Sequence, residues 1–454
     1  MKNREKTLIL EGNIWQMMWT LSWPAIIAMI LYGMNIFIDG IFVGQFLGEA
    51  ALAGITLVYP IAQILNGVGT LIGVGAGSYL SILIGKDDKL KQAGLLGNVN
   101  YLIVLNSVVI TILGLLILPF ILNFLGASET EMVYSRGYMT TILYGSVFWI
   151  AGLAYNMIVR AEGKMKTAAW MMGTGLLANI ILNYLFVAVF NFGVVGIAWG
   201  TNIGMFVYAL QFWLYVMQGK ASFKVNLLSL KQVSEDKKQI ISLGFPSLIM
   251  TIMYVIQMFV IMYSLKTYGV DGDLSFYGAL FRLFNLFLTP IYGLMRALQP
   301  AIGINYGAKH YKRVVWSFKI FALVATLIML PFWLVAMFQP DLILHWTLPG
   351  RIFTASDLLN FRLMLGLCPL LPIIFMAMTY WPAVGNAKPA GILGIARQLF
   401  LYVPAMIILP KFMGISGIYW GSFLIDLFII VLVSVIISKE LKALMIKEKI
   451  VISD

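Results

Sequence analysis

Charge is what this sequence has least of. Of its 454 residues only 11% are Asp, Glu, Lys or Arg, 61% are apolar, and the mean hydropathy is +0.91. A soluble domain keeps about 25% charged residues, so a water-soluble fold is excluded. Cys368 is the single cysteine, which rules out an internal disulfide framework. The two histidines, His310 and His345, stand far apart and outside any metal-ligand spacing. No nucleophile–base pair lies in an apolar run either, so no enzyme and no cofactor are expected. Walker-type G-x-x-x-x-G-K-[ST] is missing as well: Gly85-Lys86 is followed by Asp87. ATP-driven transport by this chain is therefore not expected. Nothing alternates at period two, which excludes a barrel.

What is present is apolar runs about 20 residues long, the length that crosses a bilayer as helix. Spans are predicted near 14–42, 50–83, 94–122, 138–160, 166–190 and 194–217, and after a polar linker near 239–267, 274–305, 314–338, 358–383, 389–410 and 416–437. The N-terminus reads as a first span rather than a signal peptide, because no small-residue cleavage site closes a short apolar region. Lys and Arg divide 23 to 5 between the two sides that these spans define, with Lys2, Lys86, Arg160, Lys224, Lys231 and Lys439 on the rich side and Arg136, Lys266, Arg351, Arg362 and Lys411 on the other. The net charge of +12 is thus positive-inside bias rather than a nucleic-acid signal. Both termini and the linker are expected in the cytoplasm, in a bacterial inner membrane.

A repeat organises the chain. Leu21-Ser22-Trp23-Pro24 matches Leu243-Gly244-Phe245-Pro246 at an offset of 222, which also pairs Tyr32 with Tyr254, Gly85 with Gly307, Gly163 with Gly385 and Lys166 with Lys388. Gly193–Gly200 resembles Gly414–Gly421 at an offset of 221. Each half has six spans, so both enter from the same side and the repeat is parallel, about an axis along the membrane normal. The expected architecture is all-α and polytopic: an N-terminal lobe over 1–217, a cytoplasmic linker over 218–238 and a C-terminal lobe over 239–454, facing each other across a central cleft.

Asp39 is the residue to single out. It lies in Asn35-Ile36-Phe37-Ile38-Asp39-Gly40 within the first span, where a carboxylate costs roughly 2.5–3.5 kcal/mol on insertion scales. The bland alternative is a solvated mouth at the outer end of the helix. Asn179 and Asn183 stack on one face of the fifth span, and Thr201 opens the sixth. Carboxylate, amide and hydroxyl oxygens suit a small alkali cation or a proton, although ordinary interhelical hydrogen bonding uses the same groups. In the second half these positions become Ile261, Leu401, Ala405 and Ser422. The scaffold therefore does not demand the polar set, and its one-sidedness favours a site. Gln63, Asn66, Arg282 and Arg296 are candidates to line the cleft. For Arg282, Arg296 and Arg397 the first reading is structural pairing between lobes, with Asp426 or Glu162 as partners. Cleft lining and snorkelling are the other readings. The glycine stripe Gly69, Gly73, Gly77 permits close helix approach. Met and aromatic residues are mostly core and lipid-facing, and a minority suit lipophilic cations.

Taken together, the two six-span lobes, Pro24, Asp39, Arg160-Ala161-Glu162-Gly163-Lys164, Phe281–Asn285, Gln299–Gly303 and Gly385-Asn386-Ala387-Lys388 followed by Arg397-Gln398 resemble the multidrug and toxic compound extrusion (MATE) transporters over the whole chain. The Asp and the Asn pair are similar to the bacterial DinF-like and MepA-like branch. The resemblance implies a cation-coupled antiporter that exports amphipathic, often cationic drugs by rocking between outward-open and inward-open states. It assigns Asp39 as the coupling carboxylate for H+ or Na+, surrounded by Asn35, Asn179, Asn183 and Thr201. One departure is Asn183, where some members carry Asp. A single formal charge then remains, which leaves proton coupling open beside sodium. Small lipophilic cations and the bilayer are the expected partners of a functional monomer, with no nucleic acid. A lipid-linked oligosaccharide flippase is the alternative, and it gains if Arg282, Arg296 and Arg397 converge on the cleft.

Overall fold

A computed structural model describes residues 4–124, 128–222, 233–270, 272–348 and 352–453. Lys2, Lys224, Lys231, Arg351 and linker residues 223–232 lie outside the described residues. In the first half the helices are α1 Arg4–Glu11, α2 Ile14–Phe42, α3 Glu49–Lys86, α4 Lys89–Phe124, α5 Glu129–Tyr144, α6 Ser146–Ala161, α7 Met165–Tyr184 and α8 Gly193–Met217. In the second they are α9 Ser234–Tyr268, α10 Asp273–Gly307, α11 Tyr311–Phe338, α12 Pro340–Thr347, α13 Ala355–Leu365, α14 Pro372–Ala383, α15 Lys388–Ile395, α16 Val403–Met413 and α17 Ser416–Ser453. π-helical stretches extend α2 (Val43–Leu47) and α7 (Leu185–Val189) and join α15 to α16 (Ala396–Tyr402).

Ten of these helices, counting joined stretches as one, are long and apolar enough to cross a membrane. The span predicted over 138–160 begins earlier and is bent by 56° between α5 and α6. At the bend, a Cβ on Gly145 would overlap the Asn202 side chain, whose amide donates to the Thr141 carbonyl at 2.7 Å. The side chain thus satisfies a backbone group that the bend frees. The span predicted over 358–383 is two pieces, α13 and α14. Pro369 and Pro372 interrupt the ladder there. Thr326 of α11 donates to the Pro369 carbonyl at 2.9 Å and Trp333 to that of Gly366 at 2.9 Å. These two broken spans complete a twelve-span, all-α fold in two lobes.

The repeat is visible in how the halves touch. Gly85 of α3 and Gly307 of α10, equivalent at offset 222, lie backbone to backbone: a Cβ on Gly85 would stand 2.9 Å from the Gly307 Cα, and one on Gly307 would stand 3.1 Å from the Gly85 Cα. Equivalent positions meet only on a two-fold axis, so the pseudo-axis passes here. Ser81 and Gly303, also equivalent, abut as well, with an added Gly303 Cβ 2.6 Å from the Ser81 Cβ. Flanking this pair are two matching seams. In one, a Cβ on Gly244 of α9 would overlap the Leu71 carbonyl of α3; in the other, a Cβ on Gly293 of α10 would reach 2.6 Å from the Ile26 Cα of α2. Gln299 crosses the seam, donating to the Val74 carbonyl at 3.3 Å and to Ser78 Oγ at 2.9 Å. Tyr79 donates to Asp236 Oδ1 at 2.6 Å.

These contacts run from the end of the bundle that carries α1, at Gly85 and Gly307, to about the middle of α2, α3 and α10, at Ile26, Leu71 and Gly293. Helix α1 spans the seam. Its last carbonyls are capped by the C-terminal half, with Arg313 Nη2 donating to Ile9 O and Gly12 O at 2.8 Å and Asn305 Nδ2 to Ile9 O at 3.1 Å. Lys6 pairs with Asp87 of the N-terminal half at 3.0 Å. Nearby, Glu162 is buried after α6, where its Oε2 accepts from Ser222 N at 2.7 Å, Tyr215 OH at 3.0 Å and Lys164 Nζ at 3.2 Å. Burial pushes the Glu162 carboxyl above its ordinary range despite these donors. On the outside of the bundle, Leu116, Phe120, Trp170, Ile392, Phe400, Phe428 and Val431 are exposed, as a lipid-facing surface requires.

Candidate functional site

Asp39 stands well within the continuous span Ile14–Leu47, at 1.5 Å per residue roughly 12 Å inside its end. Asn35, one turn earlier on the same face, donates its amide to Asp39 Oδ2 at 3.1 Å. Asn183 on α7 donates to Asp39 Oδ1 at 2.8 Å. The amide of Asn179 satisfies its neighbours when its NH2 donates to Asp39 Oδ1 and to Asn35 Oδ1, both at 3.1 Å, while its oxygen accepts from Thr201 N at 3.2 Å. The carboxylate is then held by three amide donors, and Thr201 is oriented by its own bond to the Ile197 carbonyl at 3.0 Å. All five residues expected at this site are brought together.

Local sequence explains the geometry. Asn179 and Asn183 are buried on the α7 face that packs against α2 and α8. The π-helical stretches follow within a few residues of both Asp39 and Asn183, and single π turns inside helices are frequent at functional sites. Gly200 is a residue that the sequence reading passed over: a Cβ there would overlap Asn183 Oδ1. That oxygen is buried with no hydrogen-bond partner, and is the uncommitted acceptor beside the acid. The signal available was Trp199-Gly200 itself, repeated as Trp420-Gly421.

The candidate cleft residues behave differently from one another. Gln63 and Asn66 form a relay from Tyr59 OH to Gln63 (3.3 Å), Asn66 and Trp149 Nε1 (2.9 Å), linking α3 to α6. Arg282 is exposed on α10. Arg397 pairs with Asp426 at 2.6 Å on α17. This corrects the expectation of pairing between lobes, since both partners belong to the second half, where α17 packs beside the π-helical stretch that carries Arg397. Glu162 pairs with Lys164 rather than with an intramembrane arginine. Arg160, counted among the charges at the rich side, is instead buried to 2% exposure, with Nη2 against Met172 Sδ at 3.9 Å. Helical side chains lean toward the N-terminus, which carries this one back into the bundle. No group of three or more His, Cys, Asp or Glu that could hold a metal occurs among the described residues.

A duplicated twelve-span bundle with one amide-wrapped carboxylate in its first lobe defines a class of membrane transport protein. A MatE family model matches residues 24–185 and again 246–408. The two matches begin at Pro24 and Pro246, the offset of the internal repeat. The chain belongs to the MatE family of transporters. Among curated relatives, the multidrug export protein MepA of Staphylococcus haemolyticus is 26% identical over 437 residues, covering 93% of this chain and 92% of that one. Its Staphylococcus aureus counterpart is 26% identical over 439 residues, covering 93% of each. Among solved structures, a MATE protein in a bent conformation superposes with a TM-score of 0.91 at 22% identity, covering 98% of this chain and 99% of that one. The outward-facing structure of a multidrug resistance MATE family transporter gives 0.90 at 22% identity, covering 97% and 98%. Relatives in bacteria and a polytopic fold place the chain in a cell membrane.

Proposed function

We propose that this protein exports amphipathic, often cationic compounds in exchange for H+ or Na+ taken up at Asp39. The observation that carries the reading is the carboxylate wrapped by Asn35, Asn179 and Asn183 in one half of a duplicated scaffold whose other half has apolar residues there. Three amide donors offset part of the cost of burying the Asp39 carboxylate. A proton or a sodium ion arriving there removes that charge, and the amides of Asn179 and Asn183 can turn their oxygens inward to meet it. Binding of the ion and of a cationic substrate then compete electrostatically, which is the requirement for exchange. The relatives' description as multidrug exporters supports the substrate class.

The close backbone contacts between the lobes, together with α1 spanning the seam at one end, support an outward-facing state, with that end and both termini in the cytoplasm. Alternating access then consists of parting these seams while the lobes, 1–217 and 239–454 joined by the linker 218–238, close at the other end. One chain contributes both lobes and the whole site, which supports function as a monomer. Arg397 is engaged by Asp426 and Arg282 is exposed, so the three arginines do not converge, which weighs against the flippase alternative.

The test is efflux of ethidium from cells expressing the wild type or Asp39→Asn under separate sodium and pH gradients. Gradient-driven efflux lost in the variant is expected, and the effective gradient names the ion. Undiminished efflux by Asp39→Asn would sink the assignment.

A further inference from the structure

Two arginines, one from each lobe, have no counter-ion among the described residues. Arg160 comes from α6 and is buried between Met172 of α7 and Tyr208 of α8. Its Nε and Nη1 are buried without a hydrogen-bond partner. Arg296 comes from α10 of the other lobe. It lies one turn on the cleft side of Gln299, the residue that stitches the closed seam, and it faces Tyr32 of α2 and Tyr208. The two guanidinium groups are near enough to repel each other, and α6 and α10 pack together there. Neither arginine forms an ion pair among the described residues.

A fold does not gain by placing a buried guanidinium, Arg160, beside a half-buried one, Arg296. Arginine stays protonated in such surroundings, and each unpaired buried donor carries a desolvation cost. The arrangement is explained if an anion completes it. Guanidinium forks bind carboxylate and phosphate with paired, charge-assisted hydrogen bonds, and the Tyr32 and Tyr208 hydroxyls stand ready as further donors.

We propose that Arg160 and Arg296 form an anion site where α6 of the first lobe packs against α10 of the second, a site that takes the carboxylate or phosphate of an amphipathic ligand. The site rests on the export reading and extends it: with Tyr32 within electrostatic reach of both Arg296 and Asp39, the first lobe is polarised to accept zwitterions as well as cations. Because Arg296 belongs to the second lobe and Arg160 to the first, a bound anion ties the lobes together at the closed end.

The test uses the full chain in nanodiscs and two dyes that differ only at the anionic group: rhodamine 19, with a free carboxylate, and rhodamine 6G, its ethyl ester. The wild type is expected to prefer the acid, and Arg296→Gln to cut that preference roughly tenfold or more, with Arg296→Lys restoring part of it. Native mass spectrometry after exposure to phosphatidylglycerol or phosphatidylcholine vesicles forms the second arm. A phosphatidylglycerol adduct lost in Arg296→Gln would identify a lipid headgroup as the source of the anion. Equal dye preference in wild type and variant, together with equal adducts, would overturn the proposal. Rhodamine 6G binding read in the same wild-type samples tests the export reading separately.

Discussion

Replacing Gly293 by alanine tests whether the closed seam is a state or a fixture. An added Cβ would stand 2.6 Å from the Cα and 2.8 Å from the N of Ile26, both backbone atoms of α2, where ordinary contact begins at 3.4 Å. Neither atom can rotate away, so α10 and α2 must part by close to an ångström. Overpacking of this kind costs about 1–3 kcal/mol, which at 1.4 kcal/mol per decade is about a 5- to 140-fold loss in the closed population. Ser78, fully buried on the seam beside Gln299, is the reporter. With Cys368, itself buried, replaced by alanine, Ser78→Cys is labelled by a polar maleimide added from the α1 side. Gly293→Ala is expected to raise the labelling rate by a factor in that range. Gly173→Ala on α7 is the control, because an added Cβ there meets nothing within 4 Å, and it carries the same gain in helix propensity. Equal labelling of the two variants would refute the reasoning.

Three further outcomes are expected. Gly200→Ala drives the Asn183 amide off Asp39, so ethidium efflux should fall at least tenfold while the amount of folded protein in the membrane, read by fluorescence-detected gel filtration, changes little. Glu162 has a folded-state pKa raised by burial; its favourable contribution is therefore full below the ordinary carboxyl range and is lost as pH rises through the raised value. The thermal midpoint of the wild type should accordingly fall relative to Glu162→Gln as pH increases, and parallel profiles would contradict the burial argument. For Arg397 and Asp426, removing one partner strands a partly buried charge and should cost about 3 kcal/mol or more, whereas Arg397→Met with Asp426→Asn should cost less than either single change; a thermal-unfolding double-mutant cycle measures this.

Most of the scaffold was legible because lipid imposes long apolar helices and because duplication leaves paired landmarks, Pro24 with Pro246 and Gly85 with Gly307. Breaks within spans were less legible. Gly145 is bent open by Asn202, more than fifty residues away, and no local pattern announces that contact. Among site residues, Asn35, Asn179 and Asn183 could be found by their spacing from Asp39 and from each other. Arg160 was hidden for a physical reason: by position it closes a helix at the basic side, where an arginine ordinarily meets water, and only the inward lean of its side chain buries it. The pairing of Arg397 was misjudged because Asp426 is reachable from either lobe in sequence terms, and only the packing of α17 decides.

The two halves divide the work in a way that neither alone accounts for. At the α1 end, equivalent residues meet each other across the axis, so the seam treats both lobes alike and can hinge symmetrically. Above it the symmetry is spent. Asp39 has an isoleucine as its counterpart and Asn179 a leucine, while the second lobe holds its own intramembrane carboxylate, Asp426, in a pair with Arg397. A neutralised pair responds little to an arriving ion, whereas a lone carboxylate held only by neutral amides responds strongly, because its net charge changes on binding. On the exchange reading proposed above, an ion arriving at Asp39 changes the net charge of the first lobe and leaves the Arg397–Asp426 pair of the second unchanged.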